Sequence, residues 1–162
     1  MKKAALFFCI LIVLTIPCFP AQAEPFTGGS VTVDVPEGWA PSFEKSNPDQ
    51  LRLQAPGNKY RMAILAGPSN GMNSEQGARM LAKMVEGGTP SPSPKHPGIY
   101  YFTARSGVVR SMVMAQGKRM VVIMESGDAR PFQQEILRIT RSLASTDADE
   151  QAIFDSLQVL FP

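Results

Sequence analysis

The chain has 162 residues, with 16 lysine or arginine residues against 14 aspartate or glutamate residues. Two of the lysines and both cysteines, Cys9 and Cys18, fall within the first 23 residues, so the following 139 residues carry no formal net charge and no thiol. This composition excludes disulfide bonds and cysteine chemistry from that part, and because no basic excess remains, it predicts no nucleic-acid partner.

The N-terminus has the three parts of a cleavable signal peptide. Two lysines precede an apolar run from Ala4 to Ile16, and small residues at Ala21 and Ala23 form a signal peptidase site. The run has 13 residues, whereas a permanent membrane helix needs about 20. We therefore expect cleavage before Glu24, no membrane span afterwards, and a periplasmic or secreted product.

The segment after the leader is predicted to contain three strands and a helix. Val31, Val33 and Val35 alternate with polar residues, which is typical of a half-buried strand over residues 30–35. A loop rich in proline, serine and asparagine follows. The later elements are predicted strands over residues 51–54 and 60–66 and a predicted helix over residues 74–86.

Particular side chains define the ends and the buried side of these elements. Asn73 can cap the helix, with Gln76 three residues later in a capping-box arrangement. Trp39 is the only tryptophan and follows the first strand, so we expect it to be a buried core residue. The apolar stripe of the helix is formed by Ala78, Leu81, Ala82 and Val85.

The second half of the chain is predicted to contain three strands in close succession and two helices. Glycines in Ser106-Gly107 and Gln116-Gly117 indicate two-residue hairpin turns between the strands. The final helix is predicted to be short and capped by Thr146 or Asp147. The predicted strands cover residues 99–105, 108–115 and 119–125, and the preceding helix covers residues 129–143.

The order of elements, β-β-β-α-β-β-β-α-α, predicts an α/β fold of the α+β type. The last two strands are apolar on both faces, which indicates a sheet that is covered on both sides. We therefore expect one antiparallel six-stranded sheet with helices on both faces. No internal boundary is evident, so residues 24–162 are predicted to form a single domain.

The segment from Ser30 to Trp39, SVTVDVPEGW, resembles the start of PsbP-like domains, chiefly through Val35-Pro36-Glu37-Gly38-Trp39. That group includes an extrinsic subunit of the photosynthetic oxygen-evolving complex, the Ran-binding Mog proteins and small exported bacterial proteins. The resemblance implies a non-catalytic binding or assembly protein with an unidentified protein partner in the periplasm. It implies no catalytic residues. The lone histidine, His96, without any cysteine after residue 23, predicts no metal site, and we expect no cofactor.

An alternative function is that of a small serine hydrolase using Ser69. The run from Gly67 to Gly71 matches G-x-S-x-G, and it follows a predicted strand and precedes a predicted helix. A serine nucleophile also needs a base and an acid that orients it. The chain offers only His96 as an imidazole base, and the only acids between the two are Glu75 and Glu86.

A weaker alternative is copper handling by methionine, because thioethers are soft ligands that suit Cu(I). The candidate ligands are Met112, Met114, Met120 and Met124. A turn at Gln116-Gly117 places Met114 opposite Arg119 and Met112 opposite Val121. In that register Met112 and Met114 lie on one face of the sheet, and Met120 and Met124 lie on the other. Both pairs are predicted to be buried, so we expect the methionines to pack in the core and not to form a shared metal site.

Overall fold

The structure is a computed structural model that describes residues 24–44, 47–104 and 107–160. Ten strands and three α-helices lie in these ranges, together with two short 3-10 turns at Pro56–Asn58 and Arg130–Phe132. The strands are β1 (Glu24–Gly28), β2 (Val31–Val35), β3 (Ala40–Glu44), β4 (Asn47–Gln54), β5 (Tyr60–Pro68), β6 (Ser91–Pro92), β7 (Ile99–Ala104), β8 (Val109–Gln116), β9 (Arg119–Gly127) and β10 (Ala144–Ser145). The helices are α1 (Ser74–Met84), α2 (Gln133–Ser142) and α3 (Ala148–Leu160).

The strands form two antiparallel sheets, which confirms the α+β class but corrects the predicted single sheet of six strands. The larger sheet has seven strands in the order β3-β4-β5-β9-β8-β7-β6. The smaller sheet has three, in the order β1-β2-β10. The predicted first strand is therefore β2 of a separate sheet, and residues 40–50, predicted as a loop, contain β3 and the start of β4.

One face of the seven-stranded sheet packs against the smaller sheet and helices α2 and α3 in a continuous apolar cluster. In β2, Val31, Val33 and Val35 are buried while Thr32 and Asp34 are half-buried, as period-2 alternation requires. The same cluster contains Leu51, Leu53, Ile64, Val121, Ile123, Ile139, Leu143, Ile153, Phe154 and Leu157.

Among the described helices, α1 is the one that packs on the opposite face, where it lies on β7 and β8. Ala78 and Ala82 of α1 are buried against the sheet in a second apolar cluster. A Cβ atom at Gly77 would lie 2.6 Å from the Cε atom of Met120, so glycine at this position allows the helix to approach closely. Helices therefore lie on both sides of the large sheet, as expected.

The predicted start of α1 is confirmed, but its end is not. The Asn73 side chain accepts a hydrogen bond from the Gln76 N–H at 2.9 Å, and the Gln76 side chain accepts one from the Asn73 N–H at 3.0 Å. The helix ends at Met84, and Glu86 takes a left-handed φ of 53°. Val85, predicted to be buried, follows the helix and is 38% exposed.

The two C-terminal helices differ from prediction in length. Helix α2 begins at Gln133 instead of residue 129, because a 3-10 turn containing Pro131 precedes it. Helix α3 has 13 residues and is the longest of the described helices. Asp147 accepts hydrogen bonds from the N–H groups of Asp149 and Glu150 at 3.0 and 3.1 Å, which confirms it as a cap.

The β8–β9 hairpin has a different register from the predicted one but the same facing. Its turn is Gly117-Lys118, with Gly117 at a φ of 56°, so Met114 lies opposite Val121 and Met112 opposite Ile123. Moving the turn by one residue shifts the pairing by two, and two residues is the period of a strand. Each side chain therefore keeps its predicted face.

The neighbouring β7–β8 hairpin pairs Ala104 with Val109, the register that a Ser106-Gly107 turn requires, although Ser106 lies outside the described residues.

A buried carboxylate, that of Glu150, connects α3 with both sheets. It is 0% exposed and accepts hydrogen bonds from the Ser30 and Ser145 hydroxyls at 2.5 and 2.7 Å, which belong to the smaller sheet and its β1–β2 turn. Arg119 of the larger sheet donates to it from Nε at 2.6 Å and also from Nη2. Each oxygen of the carboxylate thus has a partner, as a buried charge requires.

Trp39 is buried, as predicted, in a cluster of three rings. It follows a turn in which its N–H donates to the Pro36 carbonyl at 3.1 Å and Gly38 takes a φ of 78°. Its ring makes edge contacts with Tyr60 and Phe132 at centroid distances of 6.0 and 5.8 Å. The Pro-Glu-Gly-Trp segment therefore delivers an aromatic anchor into the main core.

Tyr60 in this cluster carries a hydroxyl that is buried without a hydrogen-bond partner in the described part of the chain. Burial raises the pKa of Tyr60 well above its usual value of 10.0, and the nearby Glu125 carboxylate raises it further. At a pH between the usual pKa and the raised one, the Tyr60 hydroxyl keeps its proton in the folded state and has lost it in the unfolded state. The contribution of Tyr60 to the free energy of unfolding is therefore fully present below pH 10 and is lost as the pH rises above that value.

We predict that Tyr60→Phe is about as stable as the parent at neutral pH, because the buried hydroxyl makes no more than a weak contact with the Glu125 carboxylate. Above pH 10 its free energy of unfolding should decline less steeply than that of the parent. Urea denaturation across this pH range measures both quantities. Tyr101→Phe, at an exposed position, is the control, and an equal alkaline decline in the parent and the Tyr60 variant would contradict the prediction.

Candidate functional site

The α1 side of the seven-stranded sheet contains an open groove of about 840 Å³, here called the sheet groove. It lies between the last turn of α1 and the part of the sheet beside that turn, from β4 across β5 and β9 to the start of β8. One row of cross-strand partners forms its floor: Arg52 of β4, Ala63 of β5, Met124 of β9 and Ser111 of β8. Side chains alternate between the faces of a strand, so these four point to the same side.

A second row of partners runs beside the first. It consists of Gln54, Arg61, Ser126 and Val109, again in the strand order β4-β5-β9-β8. The two rows put guanidinium groups at the β4–β5 end, with alanine, methionine and valine side chains further along. The floor is therefore basic at one end and combines apolar side chains with the serine hydroxyls of Ser111 and Ser126 at the other.

The wall of the sheet groove is the end of α1. Met84, Val85 and Glu86 line it, and Met84 is 71% exposed. A methionine side chain has three rotatable bonds and adapts its shape to what it contacts. The wall thus offers a flexible apolar surface opposite the basic part of the floor.

Ser111 has an unusual environment on this floor. Ser111 is 3% exposed, and its Oγ atom has no hydrogen-bond partner among the residues that the structure describes. Leaving a buried hydroxyl unpaired costs about 1–3 kcal/mol, so such groups in native proteins call for an explanation. A ligand atom in the sheet groove would supply the missing partner.

Arg61 is an exposed cation of the site. It lies on the groove face and forms no ion pair within the described ranges. Arg52, on the neighbouring strand, is its diagonal neighbour and also interacts within the chain. The Glu125 carboxylate, which lies near Tyr60, pairs with Arg110 at 3.2 Å, so Arg61 remains available to an anion.

Ser69, the predicted hydrolase nucleophile, does not have the geometry of one. Its residue is 1% exposed, and its Oγ lies 3.5 Å from the Gly117 carbonyl oxygen. Its described contacts include no imidazole and no carboxylate. Helix α1 begins five residues later, at Ser74, whereas a nucleophile elbow puts the serine at the helix start.

Of the acids that the hydrolase alternative requires, Glu75 is engaged elsewhere. It accepts hydrogen bonds from Arg79 and from the Tyr100 hydroxyl. The Arg79 guanidinium, followed by Tyr100, holds the pKa of Glu75 below its usual value. Ser69 therefore receives no support from the structure as a catalytic residue.

The methionines of the copper alternative are divided between two apolar clusters. Met112 and Met114 pack against the main core, and Met120 and Met124 pack on the α1 side. The predicted facing is confirmed, although Met120 alone of the four is buried and the other three are half-buried. Thioethers on opposite faces of a sheet cannot coordinate one ion together.

The predicted signal peptidase site is only partly covered by the structure. Ala21 and Ala23 lie outside the described residues, and Glu24 is the first residue of β1. Cleavage before Glu24 therefore stays a prediction. Within the described ranges, none of the helices has the length and apolar character needed to cross a membrane.

No protein-family model and no curated protein sequence matches the chain. Among solved structures, the fold is similar to the solution structure of cyanobacterial PsbP from Synechocystis sp. PCC 6803, with a TM-score of 0.45 and 9% identity over 80% of this chain and 95% of that chain. A protein of Bacteroides thetaiotaomicron VPI-5482 is similar with a TM-score of 0.43 and 14% identity over 78% of this chain. The match spans 50% of that protein's length.

One matched structure is thus a PsbP, the family that residues 30–39 resemble. The Mog part of the resemblance stays a prediction. At these identities and TM-scores the similarities describe the fold, and they carry no argument about function.

We predict that a fluorophosphonate probe does not label Ser69, because a buried hydroxyl without a base is a poor nucleophile. Intact-mass measurement after incubation with the probe checks this. Ser69→Ala and Ser111→Ala serve as matched variants that locate any label. Labelling that disappears only in Ser69→Ala would restore the hydrolase hypothesis.

Proposed function

We propose that this protein is a non-catalytic binding protein that works in the periplasm or outside the cell and holds a ligand in the sheet groove. The observation that carries the proposal is the Ser111 hydroxyl, which is buried on the groove floor without a partner. A ligand would satisfy this group, and its removal would leave the hydroxyl unpaired again.

The size and lining of the sheet groove support the same function. Its volume of about 840 Å³ falls within the range of about 300–1,000 Å³ that is typical of small-molecule sites. Such sites combine a mostly apolar lining with a few polar groups that orient the ligand. The sheet groove is more polar than most such sites: Ala63, Met124 and Met84 supply apolar surface, and half of the lining residues, Ser111 and Arg61 among them, are polar or charged.

The resemblance of the opening segment to PsbP-like domains implies the same general class, that of binding or assembly proteins. It also implies an unidentified protein partner. A protein that carries or senses a small ligand can act as an accessory to a larger assembly, so the two interpretations are compatible.

The extracytoplasmic location depends on the leader. Its two lysines, its 13-residue apolar run and the small residues at Ala21 and Ala23 support export. We predict that intact-mass measurement of material from the periplasmic fraction finds a chain that starts at Glu24. A chain that retains residues 1–23, or one with lipid on Cys18, would contradict the prediction.

We predict that Ala63→Trp blocks the sheet groove without unfolding the protein, because Ala63 is half-buried and faces open space on the floor. Nile red, an uncharged apolar dye, should bind the parent at one saturable site and bind the variant at least about tenfold more weakly. Fluorescence titration measures both affinities.

Gln134→Trp is the matched control, since residue 134 is exposed on α2, the helix that packs against β2. It should leave dye binding unchanged. Equal binding by the parent and Ala63→Trp would show that the sheet groove is not the site.

A further inference from the structure

We propose that the ligand of the sheet groove is an anionic amphiphile. Its acidic head group would bind at Arg61 beside Arg52, its apolar body would lie on Ala63 and Met124, and a polar atom near its far end would bind the Ser111 hydroxyl. This inference rests on the proposed function, and it specifies the chemical class of the ligand.

The charge of the site selects the head group. Arg61 is exposed, faces the groove and has no ion pair in the described part of the chain, and Arg52 adds a second positive charge one strand away. Two acidic residues also line the groove: Glu86 on the opposite wall, and Glu125, whose carboxylate pairs with Arg110. The positive charge of the lining is therefore concentrated at the β4–β5 end. A guanidinium group binds a carboxylate or a phosphate through charge-assisted hydrogen bonds, and a cationic head group would be repelled.

The spacing of the strands sets the length of the body. Arg52 and Ser111 lie in the same cross-strand row and are three strands apart, which corresponds to about 14 Å at the usual strand separation. The row between them contains only Ala63 and Met124, so no charged or hydrogen-bonding side chain interrupts it. This surface suits an alkyl chain, and Met84 can close over it from the wall.

The hydroxyl of Ser111 gives the far end of the groove its own specificity. A serine hydroxyl donates one hydrogen bond and accepts others, and here it does neither within the described residues. An amphiphile with a terminal hydroxyl would satisfy this group, whereas a plain alkyl chain would leave it unpaired. The site should therefore prefer a chain that is polar at both ends.

Binding of dodecanoate and of dodecanol, measured by displacement of Nile red, tests the head group. Both probes are used below the concentration at which they form micelles or separate, so that single molecules are measured. Dodecanoate should bind about tenfold more tightly than dodecanol. Arg61→Gln should remove this difference by weakening dodecanoate alone.

Arg138→Gln is the matched control, because Arg138 is an exposed arginine on α2 and should change neither affinity. Equal affinities for the two probes, or the same loss in both arginine variants, would overturn the proposal.

Comparison of dodecanoate with ω-hydroxydodecanoate tests the far end. The hydroxylated probe should bind about fivefold more tightly to the parent, as expected for one hydrogen bond to an otherwise unpaired group. Ser111→Ala should remove that preference, so that the two probes bind the variant with equal affinity. A preference that survives in Ser111→Ala would contradict the assignment of this residue.

The experiments distinguish a wrong ligand class from a wrong binding site. If Nile red binds and Ala63→Trp blocks it, but dodecanoate binds no better than dodecanol, the sheet groove is a ligand site and the anionic class is wrong. If Nile red does not bind the parent, or if Ala63→Trp does not weaken its binding, the sheet groove is not a ligand site and the proposed function is wrong.

Discussion

The carboxylate of Glu150 is the buried charge around which the two sheets are arranged. It cannot leave water without partners, because an unpaired ion in the protein interior is strongly unfavourable. Its partners, Arg119, Ser30 and Ser145, belong to the larger sheet, the β1–β2 turn and β10. Helix α3, the turn and both sheets must therefore meet in one arrangement before this charge can be buried.

That arrangement decides how the two faces of the large sheet are covered. The smaller sheet, α2 and α3 together cover one face, and of the helices in the described ranges only α1 lies on the other. A helix is about 10–12 Å wide, whereas seven strands at about 4.8 Å span roughly 30 Å. Helix α1 covers β7 and β8, and the sheet groove is the part of the face that a single helix leaves open.

Local patterns in the sequence were enough to predict the elements that depend on neighbouring residues. The capping box at Asn73, the burial of Trp39 and the facing of the hairpin methionines are confirmed. Strands β1 and β3 were not predicted, because Pro25 and Pro41 interrupt any alternating pattern and the strands exist through pairing with β2 and β4. The groove floor was missed since its residues come from four strands, although a lone serine in the apolar strand β8 was a visible signal.

The left-handed backbone of Glu86 has a consequence for how strictly the sheet groove selects a shape. A residue other than glycine costs about 1–2 kcal/mol in this conformation, and the adjacent Met84 and Val85 are exposed and contribute little burial in return. The backbone of this last turn is closed by hydrogen bonds from Val85 N–H to the Leu81 carbonyl at 3.1 Å and from Gly87 N–H to the Ala82 carbonyl at 2.7 Å. The adaptable part of the wall is therefore its exposed side chains and not its backbone. The strands fix the positions of the two arginines and of the Ser111 hydroxyl, whereas the side chains of the wall can adjust to ligands whose apolar bodies differ in width.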